Sequence, residues 1–164
     1  MTKEKLFETI YQEHASKVMR LVLGYVKGDK EQANDLVQDV FVKVWNNIHT
    51  FKGDSNIGTW VYRIAVNTCL MFIRSKKKLT IYTNAPTEID QHSDEIEMQF
   101  RAMYECIDQL GEKDRSIILL ELQDLPQNEI ASIMGMTHEA IRTRVHRIKN
   151  ILSKCANNEQ LRRF

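Results

Sequence analysis

The stretch "LPQNEIASIMGMTHEAIRTRVHRIKNIL", residues 125–152, constrains this chain more than any other. Pro126 stands where a helix starts. Gln127 to Met134 forms one short helical segment, Gly135 supplies a tight turn with no Cβ in the way, and Thr137 offers an N-cap for a long final helix. That spacing predicts a helix-turn-helix. In the last helix Ile141, Val145, Ile148 and Leu152 make an inner stripe. At about 100° per residue, Glu139, Arg142, Thr143, His146 and Arg147 fall on the other side, with Arg144 on the flank and His138 near the N-terminal end. Arg bonds guanine edges bidentately, Thr meets a base or its methyl, and the remaining cations suit phosphates. A basic amphipathic surface helix would share the charges without the turn that precedes them.

A second segment, "FKGDSNIGTWVYRIAVN" at residues 51–67, has a loop rich in Gly, Asp, Ser and Asn that delivers the chain into a basic helix from about Thr59 to Lys77. On that helix Arg63, Asn67, Arg74 and Lys78 lie within about 60° at ~100° per residue. An Asn amide offers both donor and acceptor to an exposed base edge, and the cations suit backbone phosphates. Taken singly, Asn67 reads as a helix-surface amide and Trp60 as a core residue. Two separated DNA-facing elements in one short chain predict a protein that reads two places on a duplex.

The formal net charge of +1 alone argues against a nucleic-acid binder, but the charges are segregated. From Trp60 to Thr87 the chain carries Arg63, Arg74, Lys76, Lys77 and Lys78 and no carboxylate; Glu88 to Phe100 carries Glu88, Asp90, Asp94, Glu95 and Glu97 and no Lys or Arg. A phosphate backbone responds to local positive faces, so the near-neutral total does not exclude DNA.

Cys69, Cys106 and Cys155 are odd in number and widely scattered, which predicts buried thiols in a reducing compartment. The five histidines form no cluster at ligand spacing, so neither a metal nor a cofactor is expected. The charged start "MTKEKLFETI" has no signal-peptide character, and no apolar run approaches bilayer length. A soluble, cytoplasmic protein without direct membrane insertion is the expectation.

Only six Gly and two Pro, with abundant helix formers, predict an all-α fold. Ala33, Leu36, Val37, Val40, Phe41, Val44, Trp45 and Ile48 recur at core-facing helical spacing, and Asp35, Gln38 and Asp39 occupy the opposite face. Residues 79–97, with a proline, an acidic run and weak periodicity, read as a flexible linker between a helical module at 1–78 and another at 98–164. Fully extended, nineteen residues reach about 60 Å. That resembles the length of roughly 17 base pairs at ~3.4 Å per step.

Together these motifs resemble the extracytoplasmic-function group of the sigma-70 family of RNA polymerase sigma factors. "DLVQDVFVKVW" looks like the family's polymerase-binding helix, the 51–67 segment like its promoter-melting element, and the helix-turn-helix like its minus-35 reader. A lone helix-turn-helix is weakly specific; three motifs in this order over nearly the whole chain are strong.

The resemblance implies that Asp35, Gln38 and Asp39 dock on core RNA polymerase. It implies that Lys52, Gly53, Asp54, Ser55, Asn56 and Asn67, with Trp60, Arg63 and Arg74 around them, capture a flipped minus-10 base. It assigns minus-35 reading to His138, Glu139, Arg142, Thr143, Arg144, His146 and Arg147. Its implied partners are core polymerase, promoter DNA and an anti-sigma factor. Met71 stands where many members carry an acid, and Ile57 where an aromatic is common; both bear on minus-10 preference. A stand-alone operator-binding regulator leaves the Asp35 to Trp45 helix and the Gly53 loop unexplained. A recombinase or nuclease would need catalytic partners around Asp54 and Ser55 that are not spaced to serve, so a non-enzyme is expected.

Overall fold

The computed structural model describes residues 1–83 and 95–162. Those residues form helices α1 (Lys3–Tyr25), α2 (Lys30–Asn47), α3 (Ile57–Thr83), α4 (Glu95–Asp108), α5 (Glu112–Glu121), α6 (Gln127–Met134) and α7 (His138–Arg162), with a 3-10 turn at Ile48–Thr50. The all-α expectation holds, and among the described residues no helix is long and apolar enough to cross a membrane.

Local chemistry sets the helix ends. The Thr2 hydroxyl accepts from the Lys5 amide at the start of α1, and the Asp29 carboxylate accepts from the Gln32 amide at the start of α2. Each satisfies an amide that has no carbonyl partner within its own helix. Lys27 and Gly28, at φ 55° and 79°, reverse the chain between these helices.

Helices α1, α2 and α3 pack around Val18, Leu21, Val22, Val40, Val44, Val61 and Ala65. Helices α4 to α7 close over Ile107, Ile117, Leu120, Ile130, Ile141 and Ile148. The buried residues of the two halves form one continuous cluster, because α1 lies against α4 and α5 and α3 lies against α6.

Three sequence expectations change. Helix α3 runs beyond Lys78 to Thr83 because no Gly or Pro interrupts residues 79–83, and α4 begins inside the acidic run, at Glu95. Both ends of the expected 79–97 linker are therefore helical, while its middle, 84–94, lies outside the described residues. Gly111 is the N-cap of α5, which starts at Glu112, although the sequence reads Gly111 as a helix stop and places the next helix around Arg115 to Gln123.

The cysteines require a correction as well. Cys106 and Cys155 form a disulfide joining α4 to α7, and only Cys69 keeps a free thiol among the described residues. The pair is separated by 49 residues in sequence, but the packing of α4 on α7 brings their Cα atoms to 5.9 Å. Cys69 is fully buried, and burial pushes its thiol up to about 12, so it carries no thiolate at neutral pH.

Candidate nucleic-acid and polymerase interface

Helix α2 buries Ala33, Leu36, Val37, Val40, Phe41 and Val44 and leaves Asp35, Gln38 and Asp39 exposed, so the acidic face faces solvent. An open groove of about 470 Å³ between α1 and α2, lined by Tyr11, Ala15, Ser16, Met19, Asn34, Val37 and Gln38, runs beside it. Apolar relief next to exposed carboxylates is a surface on which another protein can seat.

The 52–56 loop is anchored at both ends. Before it, Phe51 packs its ring on Trp60 at 5.5 Å; after it, the Asn56 side-chain oxygen accepts from the Gly58 amide at 2.8 Å. Gly53 has φ +79°, a conformation that favours glycine, and a Cβ there would meet nothing within 4 Å, so the backbone and not space selects the residue. Trp60 is half-buried and braces the loop, while Lys52, Asp54 and Asn56 are exposed and Ser55 is partly covered.

Beneath the loop, His14 is buried, and a Cβ on Gly58 would lie 3.2 Å from its ring. Neither ring nitrogen has a hydrogen-bond partner, and burial, then the Lys17 charge, holds its pKa below the usual histidine value of 6.5 against a smaller opposing effect of Glu13.

Asn67 projects from α3 into solvent one turn beyond Arg63. The two arginines on the same face are exposed too, but each is paired with the second module. The Arg63 guanidinium donates to the Ser132 carbonyl of α6 at 2.6 Å, and Arg74 forms a forked pair with Glu112 of α5, at 3.1 Å from Nε and 2.8 Å from NH2 to Oε2. The Arg74 hydrogen bond and charge hold the Glu112 carboxyl below its usual range. The face read as one DNA-binding row is thus split, with the amide exposed and both guanidinium groups turned to the second module.

The helix-turn-helix forms as its sequence dictates. Gly135 ends α6 in the left-handed conformation at φ 66°, the Met136 amide reaches back to the Ala131 carbonyl, and the Thr137 hydroxyl accepts from the Ala140 amide at 3.1 Å. Ile141, Val145 and Ile148 are buried, whereas His138, Glu139, Arg142, Thr143, His146 and Arg147 are exposed. Thr143 donates its hydroxyl to the Glu139 carbonyl, which leaves its methyl as the outward contact. Arg144 and Arg147 share the Asp114 carboxylate, at 2.9 and 2.8 Å, and the helix is held against α5 by that fork.

Glu112 and Asp114, which the sequence reading did not include, therefore pair with arginines of both candidate faces. Their signal was present as two acids in the first turn of a helix, a common way to complement its dipole, and it is only the fold that shows which arginines they engage.

The family model of sigma-70 region 2 matches residues 10–79, and that of sigma-70 region 4 matches residues 100–152. RNA polymerase sigma factor SigV of Bacillus subtilis is 28% identical over 161 residues, covering 98% of this chain and 96% of the relative. The ECF RNA polymerase sigma-E factor of Escherichia coli K12 is 30% identical over 173 residues, covering 91% and 85%. In fold, the chain is similar to the sigma factor RpoE in complex with the anti-sigma factor NepR from Bartonella quintana, with a TM-score of 0.74, 20% identity, and coverage of 93% of this chain and 98% of that one. It is also similar to CnrH in complex with the cytosolic domain of CnrY, at TM-score 0.73, 18% identity, and coverage of 94% and 90%. The region 2 and region 4 matches fall on the two halves whose exposed faces were built above, and the chain belongs to the sigma-70 family as an extracytoplasmic-function sigma factor, an alternative sigma factor that directs promoter recognition.

Proposed function

We propose that the chain is a non-catalytic subunit that docks on core RNA polymerase through Asp35, Gln38 and Asp39, reads minus-10 DNA with the 52–56 loop and Asn67, and reads minus-35 duplex with α7. The observation that carries this reading is the exposed row Arg142, Thr143, His146 and Arg147 on a helix fixed by a helix-turn-helix, in the same chain as an exposed acidic helix face and a braced polar loop. Arg142 and Thr143 are exposed, and an arginine suits a guanine edge as a threonine methyl suits a thymine methyl. Asn67, beside the loop, suits the edge of a base taken out of the stack, which costs a few kcal/mol that polar contacts must recover.

An operator-binding regulator acting alone would not use the α2 face, and the match to sigma-70 region 2 over residues 10–79 disfavours it. Because RpoE is similar in fold and its solved complex contains the anti-sigma factor NepR, an anti-sigma partner is part of the proposal, as is action in the cytoplasm where polymerase and promoter meet.

Co-purification with bacterial core polymerase tests the docking role. The wild type should bind, and Asp39→Arg should bind at least tenfold more weakly while keeping its helical circular dichroism. Equal binding by both proteins would remove the α2 face from the account.

A further inference from the structure

The inner stripe of α7 runs through Ile141, Val145, Ile148 and Leu152 and ends on Cys155, at the steps of three and four that keep one helix face on its neighbours. After Leu152 the anchoring changes character. Ser153, Lys154, Ala156, Asn157 and Asn158 are exposed, and within 153–158 Cys155 alone is drawn inward, where it bonds Cys106 of α4. A sulfur–sulfur bond thus ends a stripe that apolar side chains begin. Thiol exchange can break that bond, as it cannot break an apolar contact.

The two sulfurs differ in access. Cys106 is only 4% exposed, whereas Cys155 is half-buried between exposed neighbours. From Ala140 to Asn158 α7 carries Arg142, Arg144, Arg147, Lys149 and Lys154 and no carboxylate, a positive segment that favours a thiolate and draws in an anionic reagent. Cys69 is fully buried on α3 and does not compete. In the cytoplasm, where small thiols keep cysteines reduced, permanent structural disulfides are rare and the pairs that do form are mostly transient. A pair with one reachable sulfur is of the reducible kind.

We propose that Cys106 and Cys155 are a reversible dithiol–disulfide pair that reacts with anionic low-molecular-weight disulfides such as glutathione disulfide, and that its closure pins the last turns of α7 onto α4. Cys155, the accessible sulfur, attacks as the thiolate; it bonds one sulfur of the small disulfide and the other leaves. Cys106 then attacks Cys155 in this mixed disulfide and displaces the second small thiol. Two protein thiols become one disulfide, one small disulfide becomes two thiols, and the two protons lost by the protein end on the released thiols. Arg147, the last residue of the reading face, lies eight residues, or about 12 Å, along the helix from Cys155. Oxidation therefore alters the support of that face and not its contacts. The cytoplasmic setting and the reading face rest on the function proposed above; the chemistry of the pair does not.

The test equilibrates the full-length chain, without oxygen, in about 5 mM glutathione at thiol-to-disulfide ratios of about 100:1 and about 1:1, then quenches it in acid, unfolds it and counts maleimide-reactive thiols by mass. Three thiols are expected at the first ratio and one at the second. One at both ratios makes the bond a permanent staple, three at both means that the pair does not close, and either result overturns the proposal. With glutathione disulfide alone, Cys106→Ser should take up one glutathione and Cys155→Ser none, because Cys106 and Cys69 are buried. As much adduct on Cys155→Ser as on Cys106→Ser overturns the order of attack. The wild-type titration needs no variant, so a misfolded Cys106→Ser leaves the proposal open to refutation. Amide exchange at residues 153–158 should be at least about tenfold faster in the reduced chain than in the oxidised one, with a smaller change from Arg142 to Arg147. Equal rates at 153–158 overturn the pinning. None of these readouts uses polymerase or promoter, so failure of the pair is distinguishable from failure of the promoter-reading role, which transcription reports.

Discussion

Arg63 of α3 caps the C-terminal end of α6: its guanidinium donates to the Ser132 carbonyl at 2.6 Å. That carbonyl belongs to the last turn of an eight-residue helix, where acceptors lack intrahelical partners and the helix dipole is negative. A residue that reads from sequence as a phosphate contact is a structural cap in this structure. Arg63→Ala should therefore lower unfolding free energy, by about 0.5–1.5 kcal/mol given the exposure of the arginine. Asn67→Ala, one turn away and exposed, should leave the urea midpoint unchanged and reduce permanganate-detected promoter opening instead. Equal urea midpoints for Arg63→Ala and wild type would show that the cap contributes nothing.

The disulfide closes a loop of 49 residues that contains α5, α6 and most of α7. Cross-linking over such a distance restricts the unfolded chain, and its removal should cost about 2–4 kcal/mol. Cys106→Ser should lower the melting temperature measurably, and thiol titration of the unfolded wild type should find one free thiol before reduction and three after. Three thiols before reduction, in protein purified without reductant, would contradict the pairing.

His14 predicts how stability responds to mild acid. Its folded pKa lies below 6.5, chiefly because burial disfavours the charged ring, while the unfolded value is the ordinary one. As pH falls through 6.5 the unfolded chain takes up a proton that the folded chain refuses, so stability declines until the folded pKa is reached and is flat with respect to this group below it. The slope in that window is at most about 1.4 kcal/mol per pH unit. Urea midpoints from pH 7.5 to 5 should fall more steeply for wild type than for His14→Gln; parallel curves would contradict the assignment.

Arg142 is exposed on the outward face of α7 and, unlike Arg144 and Arg147, is not paired with Asp114. It is the arginine that can approach a base edge without first leaving a carboxylate. Arg142→Ala should cost about 1–3 kcal/mol of discrimination at one minus-35 base pair, read by competition between duplexes that differ at that pair. An equal loss against every competitor would reassign Arg142 to phosphate contact.

The parts of the fold legible in the sequence are those governed by local rules. The α2 stripe, the Gly135 turn with its Thr137 cap, and the inner row Ile141, Val145 and Ile148 follow from periodicity and turn chemistry. The parts that were not legible depend on residues distant in sequence. Nothing local links Cys106 to Cys155, Gly24 to Leu119, or Arg74 to Glu112; each pair meets only because α1, α3, α4, α5 and α7 pack together. The same reasoning explains the arginines. A sequence places Arg63, Asn67 and Arg74 on one exposed face but does not show what each side chain pairs with, and here α5 and α6 engage both guanidinium groups.

Run-off transcription from a promoter library, with bacterial core polymerase in the presence and absence of the purified chain, shows whether the chain directs initiation. Start sites should appear only with the chain and share two sequence elements, upstream selection weakening with Arg142→Ala and opening weakening with Asn67→Ala. Specific duplex binding by the chain with no polymerase binding and no chain-dependent transcript would contradict this role.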